Sequence, residues 1–134
     1  MTGAVHACIG AALGSLTNDE SAAFAAGVIS HVIADACPHN DCSPAVEAPL
    51  VLGALAGIAC WKGLDSPEFW GALGGVAPDL EHAFAYVGMM DPDKKAFPTH
   101  VDNGKWHGEK GEERWSQLIL SAVSLALVAL NSRE

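Results

Sequence analysis

Charged residues are scarce in this chain of 134 residues, and positive ones are the scarcest, with 7 Lys and Arg against 16 Asp and Glu. The formal net charge of -9 leaves no basic stripe of the kind that binds a phosphate backbone, so we expect no nucleic-acid partner. Half of the residues are hydrophobic and the mean hydropathy is +0.22. Membrane contact is therefore an open question from the start.

Cysteines are few, and no two of the four have the C-x-x-C spacing of redox motifs and zinc ribbons. Free buried thiols in a reducing compartment are the simpler interpretation of Cys8, Cys37, Cys42 and Cys60. Cys37 and Cys42 flank His39, however, and could join a metal site. The first 16 residues lack the Lys or Arg of a signal peptide, so we do not expect secretion.

No segment shows the strict alternation of polar and apolar residues that marks a β-strand. Five apolar segments separated by turn-rich joints instead predict an all-α fold, and the length fits a single domain covering residues 1–134. We expect an up-and-down bundle of about five short helices with a long loop before the last helix. The predicted helices are 3–16, 20–37, 46–61, 67–87 with a break at Pro78, and 112–132, and the long loop is 88–111.

Long hydrophobic runs are also missing, because the apolar runs reach only about 14 to 17 residues, short of the roughly 20 that cross a bilayer upright. A soluble bundle and a thin membrane bundle both remain open. If the chain is inserted, the lysine-rich loop predicts that this end faces the cytoplasm. Two patterns predict packing: Gly53-x3-Gly57 would allow close helix contact, and a core stripe is expected at Phe69, Trp70, Leu73, Leu80 and Phe84.

The histidines share one predicted location. If the helices alternate in direction, the start of the first, the ends of the second and fourth, and the long loop all lie at the same end. All six histidines fall there. His31 and Asp35, four apart, share a helix face, and Asp79 and His82, three apart, share another. An ionisable stripe on an apolar helix needs a partner, and a cation would provide one.

Imidazole nitrogen and carboxylate oxygen are ligands that zinc and other divalent ions accept. The set exceeds the needs of one tetrahedral ion, which predicts one or two ions, or one ion and an acid–base group. Glu81 is the candidate catalytic carboxylate that would take a proton from water. Asp35 could instead orient His31 without binding the ion. The candidate ligands are His6, His31, Asp35, His39, Asp79, His82 and His100, and His107, Glu109 and the cysteines stay open.

Two sequence motifs resemble motifs of known families. G-x-x-S-H-x-x-x-D, from Gly27 to Asp35, resembles a helix of the zinc-dependent phospholipase C-like proteins. G-x-x-A-P-D-L-E-H, from Gly74 to His82, resembles the membrane-bound metal-dependent hydrolases, as do H-A-x-I-G at the first histidine and T-H at residues 99–100. Glu replaces the second Asp of that family's motif, and the order of the motifs differs. The resemblance implies metal binding and, with it, hydrolysis of a phosphoester.

The leading hypothesis is thus a metal-dependent hydrolase that uses a metal-activated water at one end of the bundle. Its substrate would be a small molecule or a lipid-derived phosphoester. The chain would be associated with the membrane with its metal site facing the cytoplasm, or else be soluble in the cytoplasm. The alternative hypothesis is a non-catalytic helical subunit of a membrane or a complex, with a structural metal or cofactor site.

Overall fold

The fold is all-α, as predicted. The computed structural model describes residues 1–101, 107–108 and 115–131, and these ranges contain no β-strand. The predicted bundle of about five helices is confirmed if α4 and α5 are counted as the two parts of one predicted helix. The helices are α1 (Gly3–Gly14), α2 (Glu20–Asp35), α3 (Pro44–Lys62), α4 (Pro67–Val76), α5 (Leu80–Tyr86) and α6 (Trp115–Leu130), and 3₁₀ turns lie at Ala77–Asp79 and Pro92–Lys94.

Local signals in the sequence set several helix ends. The Asp19 side chain accepts the backbone N–H of Ala22 at the start of α2, and the Ser66 hydroxyl accepts that of Phe69 at the start of α4. Pro78 lacks an N–H, and the chain forms a 3₁₀ turn there, which separates α4 from α5 where the break was predicted. The predicted first residues of the last helix, 112–114, lie outside the described residues.

Helix α1 packs against four other helices, α2, α3, α4 and α6. The backbone N–H of Thr2 donates to Gln117 near the start of α6 at 3.0 Å, and Asn131 just after α6 donates to Ser15 just after α1 at 3.3 Å. Therefore α1 and α6 run in the same direction. The start of α1 also meets the end of α4, so these two helices are antiparallel.

Glycines bring the backbones of α1, α2 and α4 into direct contact. A Cβ placed on Gly10 would lie 2.1 Å from the carbonyl oxygen of Gly71, and one on Gly27 would lie 2.2 Å from the same oxygen. We call Gly10, Gly27 and Gly71 the glycine contact. The close helix contact that the Gly53-x3-Gly57 spacing would allow is not formed among the described residues, because none of their atoms lies within 4 Å of a Cβ built at either position.

The described core is built of small side chains, and many large ones lie outside. Ala7, Ala11 and Ala72 are fully buried. The predicted core stripe is wrong at three positions, since Trp70, Leu80 and Phe84 are 37%, 51% and 41% exposed. Helices that pack through glycine and alanine leave their large residues on the outer faces.

Helix α3 is long and apolar enough to cross a membrane, and no other described helix passes the same test of length and composition. It has 19 residues and a mean hydropathy of 1.5 over its most apolar window. Only Ile58 of this helix is buried in the protein. A core helix of a soluble protein would instead be mostly buried, so α3 presents an apolar surface to its surroundings.

Candidate metal centre

Four side chains meet at the end of the bundle where α1 begins and α2 ends. His31 Nε2 lies 3.0 Å from Asp35 Oδ2 and 3.6 Å from Asp79 Oδ1. His100 Nε2 lies 3.7 Å and 3.9 Å from the same two oxygens. Since zinc ligands lie about 2.0–2.2 Å from the ion, two ligands of a tetrahedral site are about 3.3–3.6 Å apart. We call these four residues the inner cluster, and three of them, His31, Asp35 and His100, form a group that could hold a metal ion.

Three separate parts of the fold supply the inner cluster. His31 and Asp35 lie one turn apart on α2, as their spacing predicted. Asp79 ends the 3₁₀ turn that Pro78 forces after α4. His100 comes from the loop after α5, where its backbone N–H donates to the Phe97 carbonyl at 2.9 Å.

The two imidazoles of the inner cluster present nitrogens without hydrogen-bond partners. His31 Nδ1 donates to the carbonyl oxygen of Gly75 at 2.7 Å, so its Nε2 points at the carboxylates. Neither this Nε2 nor His100 Nε2 has a hydrogen-bond partner among the described residues, although both imidazoles are buried. Buried polar atoms are normally satisfied, and a cation between these nitrogens and the facing oxygens would satisfy them.

Burial and mutual contact shift the acid–base equilibria of the cluster. Burial alone would raise the pKa of Asp35, but contacts with His100, His31 and His6 outweigh it and hold the pKa well below the ordinary value. Burial would lower the pKa of His31, but Asp35 and Asp79 outweigh it and raise the pKa. Burial, partly offset by His31, raises the pKa of Asp79 to about 6. Asp35 is therefore the carboxylate that stays ionised.

His6 flanks the inner cluster from α1. Its ring stacks on that of His31 with centroids 3.9 Å apart, and its Nε2 lies 3.0 Å from Asp35 Oδ1, within hydrogen-bond distance. Burial lowers the pKa of His6 to about 4, which keeps the imidazole neutral. His6 therefore contacts the Asp35 oxygen that faces away from His31. With His31 and Asp79 it forms a further group that could hold a metal ion.

A second group of side chains adjoins the inner cluster, and we call His39, Asp41 and His107 the outer cluster. His39 Nε2 lies 3.1 Å from Asp41 Oδ1. His107 Nε2 lies 4.0 Å from Asp41 Oδ2 and 4.0 Å from Asp35 Oδ2. Asp35, His39 and His107 together could hold a metal ion. The amino group of Met1 also lies here, 3.0 Å from Asp35 Oδ1 and 3.1 Å from Asp41 Oδ1.

The structure places His82 and Glu81 at the edge of the inner cluster. His82 is exposed, its ring centroid lies 4.0 Å from that of His100, and its Nδ1 accepts from Lys95 Nζ at 2.8 Å. The two oxygens of Glu81 accept the backbone N–H groups of residues 96 and 97 at 3.0 Å and 3.2 Å. Glu81 Oε2 also lies 3.4 Å from His100 Nδ1. Glu81 thus contacts the ring nitrogen of His100 that faces away from Asp35 and Asp79.

Some features of the site were not predicted. Asp41 is not among the candidate ligands that the sequence predicted, because its contacts depend on the fold of the loop after α2. No sequence pattern indicated that the Gly75 carbonyl would accept a hydrogen bond from His31. Among the described residues, neither Cys37 nor Cys42 belongs to a group that could hold a metal ion, and Glu109 lies outside the described ranges.

Comparisons of this chain with protein-family models, with curated proteins and with solved structures found no match. Function is therefore inferred from the geometry and chemistry of the site.

Proposed function

We propose that this protein is a metal-dependent hydrolase that cleaves a phosphoester at the inner cluster, with zinc as the preferred ion. The observation that carries the proposal is the pair of buried nitrogens, His31 Nε2 and His100 Nε2, which lack hydrogen-bond partners and face two carboxylate oxygens at 3.0 to 3.9 Å. The two carboxylates of the inner cluster also balance the charge of a divalent ion. The resemblance of Gly74–His82 and of Thr99–His100 to metal-dependent hydrolases agrees with this assignment.

A divalent ion held by these residues would lower the pKa of a water toward 7 and polarise a phosphoryl oxygen. In the hydrolysis, the water oxygen bonds to phosphorus and the bond from phosphorus to the leaving oxygen breaks. A carboxylate takes the water proton and passes it to the leaving oxygen. We propose Asp79 for this step, through the carboxylate oxygen that does not face the ion, because its side chain is 32% exposed, whereas that of Asp35 is 3% exposed.

We assign Glu81 as a positioning residue for His100, and not as the proton acceptor that the sequence favoured. Its carboxylate already accepts two backbone N–H groups. Burial would raise the pKa of Glu81, but these two hydrogen bonds and the contact with His100 outweigh it and lower the pKa. A carboxylate beside the outward nitrogen of a liganding histidine orients the ring and increases its basicity.

We further propose that the chain associates with a membrane and that the inner cluster lies at the cytoplasmic end. The apolar surface of α3 supports the association. We assign the inner cluster to the cytoplasmic side because the long loop is rich in lysine. One of these residues, Lys95, contacts His82 beside the inner cluster. A lipid-derived phosphoester could then reach the site from the membrane surface.

The test combines metal analysis with an activity assay. Wild type, His31→Ala and His100→Ala are purified with zinc, and zinc per chain and hydrolysis of bis(p-nitrophenyl) phosphate are measured. We expect bound zinc and hydrolysis in wild type, and less of both in the two variants. Asp65→Asn, an exposed aspartate at the opposite end of the bundle, is the control and should match wild type.

Two results would contradict the proposal. Less than about 0.2 zinc per chain in wild type would end the metal interpretation, because a zinc site of this kind binds its ion stoichiometrically. Zinc binding without hydrolysis of phosphoesters would favour the alternative, a helical subunit with a structural metal site.

A further inference from the structure

We propose that the outer cluster is a second metal site, which binds its own divalent ion and shares Asp35 with the inner cluster. The proposed function requires only the ion of the inner cluster, and this inference deepens it by making the centre binuclear. The second ion would be held by His39, Asp41 and His107, with Asp35 between the two ions.

The orientation of His39 is the first observation that points to a ligand. His39 Nδ1 donates to the carbonyl of Cys37 at 2.7 Å, which leaves Nε2 as the nitrogen with a free lone pair. This Nε2 has no hydrogen-bond partner among the described residues, although only 1% of the side chain is exposed. It faces Asp41 Oδ1 at 3.1 Å. A lone pair and a carboxylate oxygen at this distance attract each other only if a proton or a cation lies beside both.

The arrangement of the other ligands fits one small ion. Ligand atoms of Asp35, His39 and His107 all lie within 4.8 Å of one another. His107 Nε2 is 4.0 Å from Asp35 Oδ2 and 4.0 Å from Asp41 Oδ2. The shared oxygen of Asp35 also lies 3.0 Å from His31 Nε2. Carboxylates that face two sets of nitrogen ligands are typical of two-ion centres, whose ions are about 3.5–4 Å apart.

The backbone fixes His107 beside His39. The N–H of Gly108 donates to the backbone carbonyl of Asp35 at 2.6 Å, and a Cβ on Gly108 would lie 2.2 Å from the Cys37 carbonyl oxygen. Only glycine allows this approach. The result is that the rings of His39 and His107 lie with their centroids 4.5 Å apart at the end of α2.

The outer cluster is more open than the inner one, because the side chains of Asp41 and His107 are 55% and 28% exposed. A substrate oxygen could therefore approach the second ion from solvent. A competing positive charge is the amino group of Met1, which lies near Asp35 and Asp41. If this ammonium alone balances Asp41, no second ion is needed.

Zinc stoichiometry tests the second site. Wild type, His39→Ala, Asp41→Asn and the control Asp65→Asn are stripped with a chelator, reloaded with zinc, desalted and analysed for zinc per chain. We expect about two ions in wild type and in Asp65→Asn, and about one in His39→Ala and Asp41→Asn. Asp41→Asn keeps the test valid if His39→Ala does not fold, because the Asp41 side chain is more than half exposed.

The outcomes separate the two proposals. One ion in wild type that persists in both variants overturns the second site and leaves the proposed function intact. Two ions in wild type and in both variants also overturn it, because the second ion would lie elsewhere. No ion in wild type overturns both proposals. Cobalt(II) in place of zinc gives a second readout, since Asp41→Asn should remove only part of the visible absorption of the loaded wild type.

Discussion

His31 donates from Nδ1 to the carbonyl of Gly75 at 2.7 Å and so directs Nε2 toward Asp35 Oδ2, 3.0 Å away. The contact is short, yet Nε2 is left without a hydrogen-bond partner among the described residues. The Gly75 carbonyl thus selects the tautomer that a metal ion requires. A cation beside both atoms would turn an unsatisfied contact into two ligand bonds.

Removal of the metal should destabilise the folded protein. A ligand that binds only the folded state at a thousand times its Kd contributes about 4 kcal/mol to the free energy of unfolding. We expect EDTA to lower the Tm of wild type and added zinc to restore it, as followed by circular dichroism. Asp35→Asn should lose most of this response. An unchanged Tm in EDTA would show that no stabilising ion is bound.

Asp79→Asn should flatten the dependence of stability on pH in chelator-treated protein. The pKa of Asp79 is raised to about 6 in the folded state from an ordinary 3.8, so between these values the folded state binds more protons than the unfolded state. The free energy of unfolding therefore falls as pH rises through this window, by about 1–2 kcal/mol after allowance for the partly exposed carboxylate.

Urea unfolding at pH 4.5 and pH 7 measures this contribution, with Asp65→Asn as the control because Asp65 is exposed. The difference between the two pH values should shrink in Asp79→Asn relative to wild type and stay unchanged in Asp65→Asn. An equal pH dependence in all three proteins would contradict the raised pKa.

Gly71→Ala should destabilise the bundle, because its Cβ would lie 2.1 Å from the Gly10 carbonyl oxygen. We expect a loss of about 2–4 kcal/mol in the free energy of unfolding, since α1 and α4 must move apart. Gly53→Ala is the matched control. No described atom lies within 4 Å of its Cβ, and the higher helix propensity of alanine should stabilise the protein by up to about 1 kcal/mol. Equal effects of the two substitutions would contradict the glycine contact.

Glu81→Ala should weaken zinc binding by about 10- to 100-fold, the usual effect of removing a carboxylate that orients a liganding histidine. If Glu81 is a positioning residue, zinc in excess should restore most of the activity, and the pH–rate profile should keep its shape. Loss of the acidic limb of the profile at saturating zinc would instead assign Glu81 as the proton acceptor. Asp93→Ala, which removes an exposed charge from the loop after α5, is the control.

Membrane association predicts that the protein leaves the membrane fraction only with detergent. Trp61 on α3 and Trp115 on α6 are 48% and 72% exposed, so both should contact lipid in reconstituted vesicles. Brominated lipids should then quench much of the tryptophan fluorescence. A monodisperse protein in the absence of detergent would contradict integral insertion.

The sequence predicted which histidines and carboxylates lie together at one end of the bundle better than it predicted the packing of the helices. His31 and Asp35 were predictable because helical spacing alone places them on one face, and the meeting of distant residues followed from alternating helix directions. The roles of Asp41 and Glu81 were not predictable. Their partners depend on how the loops after α2 and α5 fold. Loop conformation produces no periodic pattern in the sequence from which these contacts could be predicted.

The errors in packing have one physical origin. An apolar stripe such as Trp70, Leu80 and Phe84 is expected to face the core, but here α1, α2 and α4 make their closest contacts through glycine and bury several alanines beside them. Within the described helices the G-x3-G spacing occurs at Gly10–Gly14, Gly53–Gly57 and Gly71–Gly75, and only the first and third lie at close backbone contacts. Glycine spacing shows that close approach is possible, but which helix approaches is decided by the whole bundle.

Gly75 contributes both to the packing of the bundle and to the orientation of a histidine in the inner cluster. A Cβ there would lie 2.3 Å from the His6 carbonyl oxygen, while its own carbonyl holds His31. Any side chain at this position would separate α1 from α4. It would also displace the carbonyl that fixes the tautomer of His31. The spacing of the helices and the orientation of His31 are consequently coupled through one peptide unit, so a substitution meant to alter either property alone would change both.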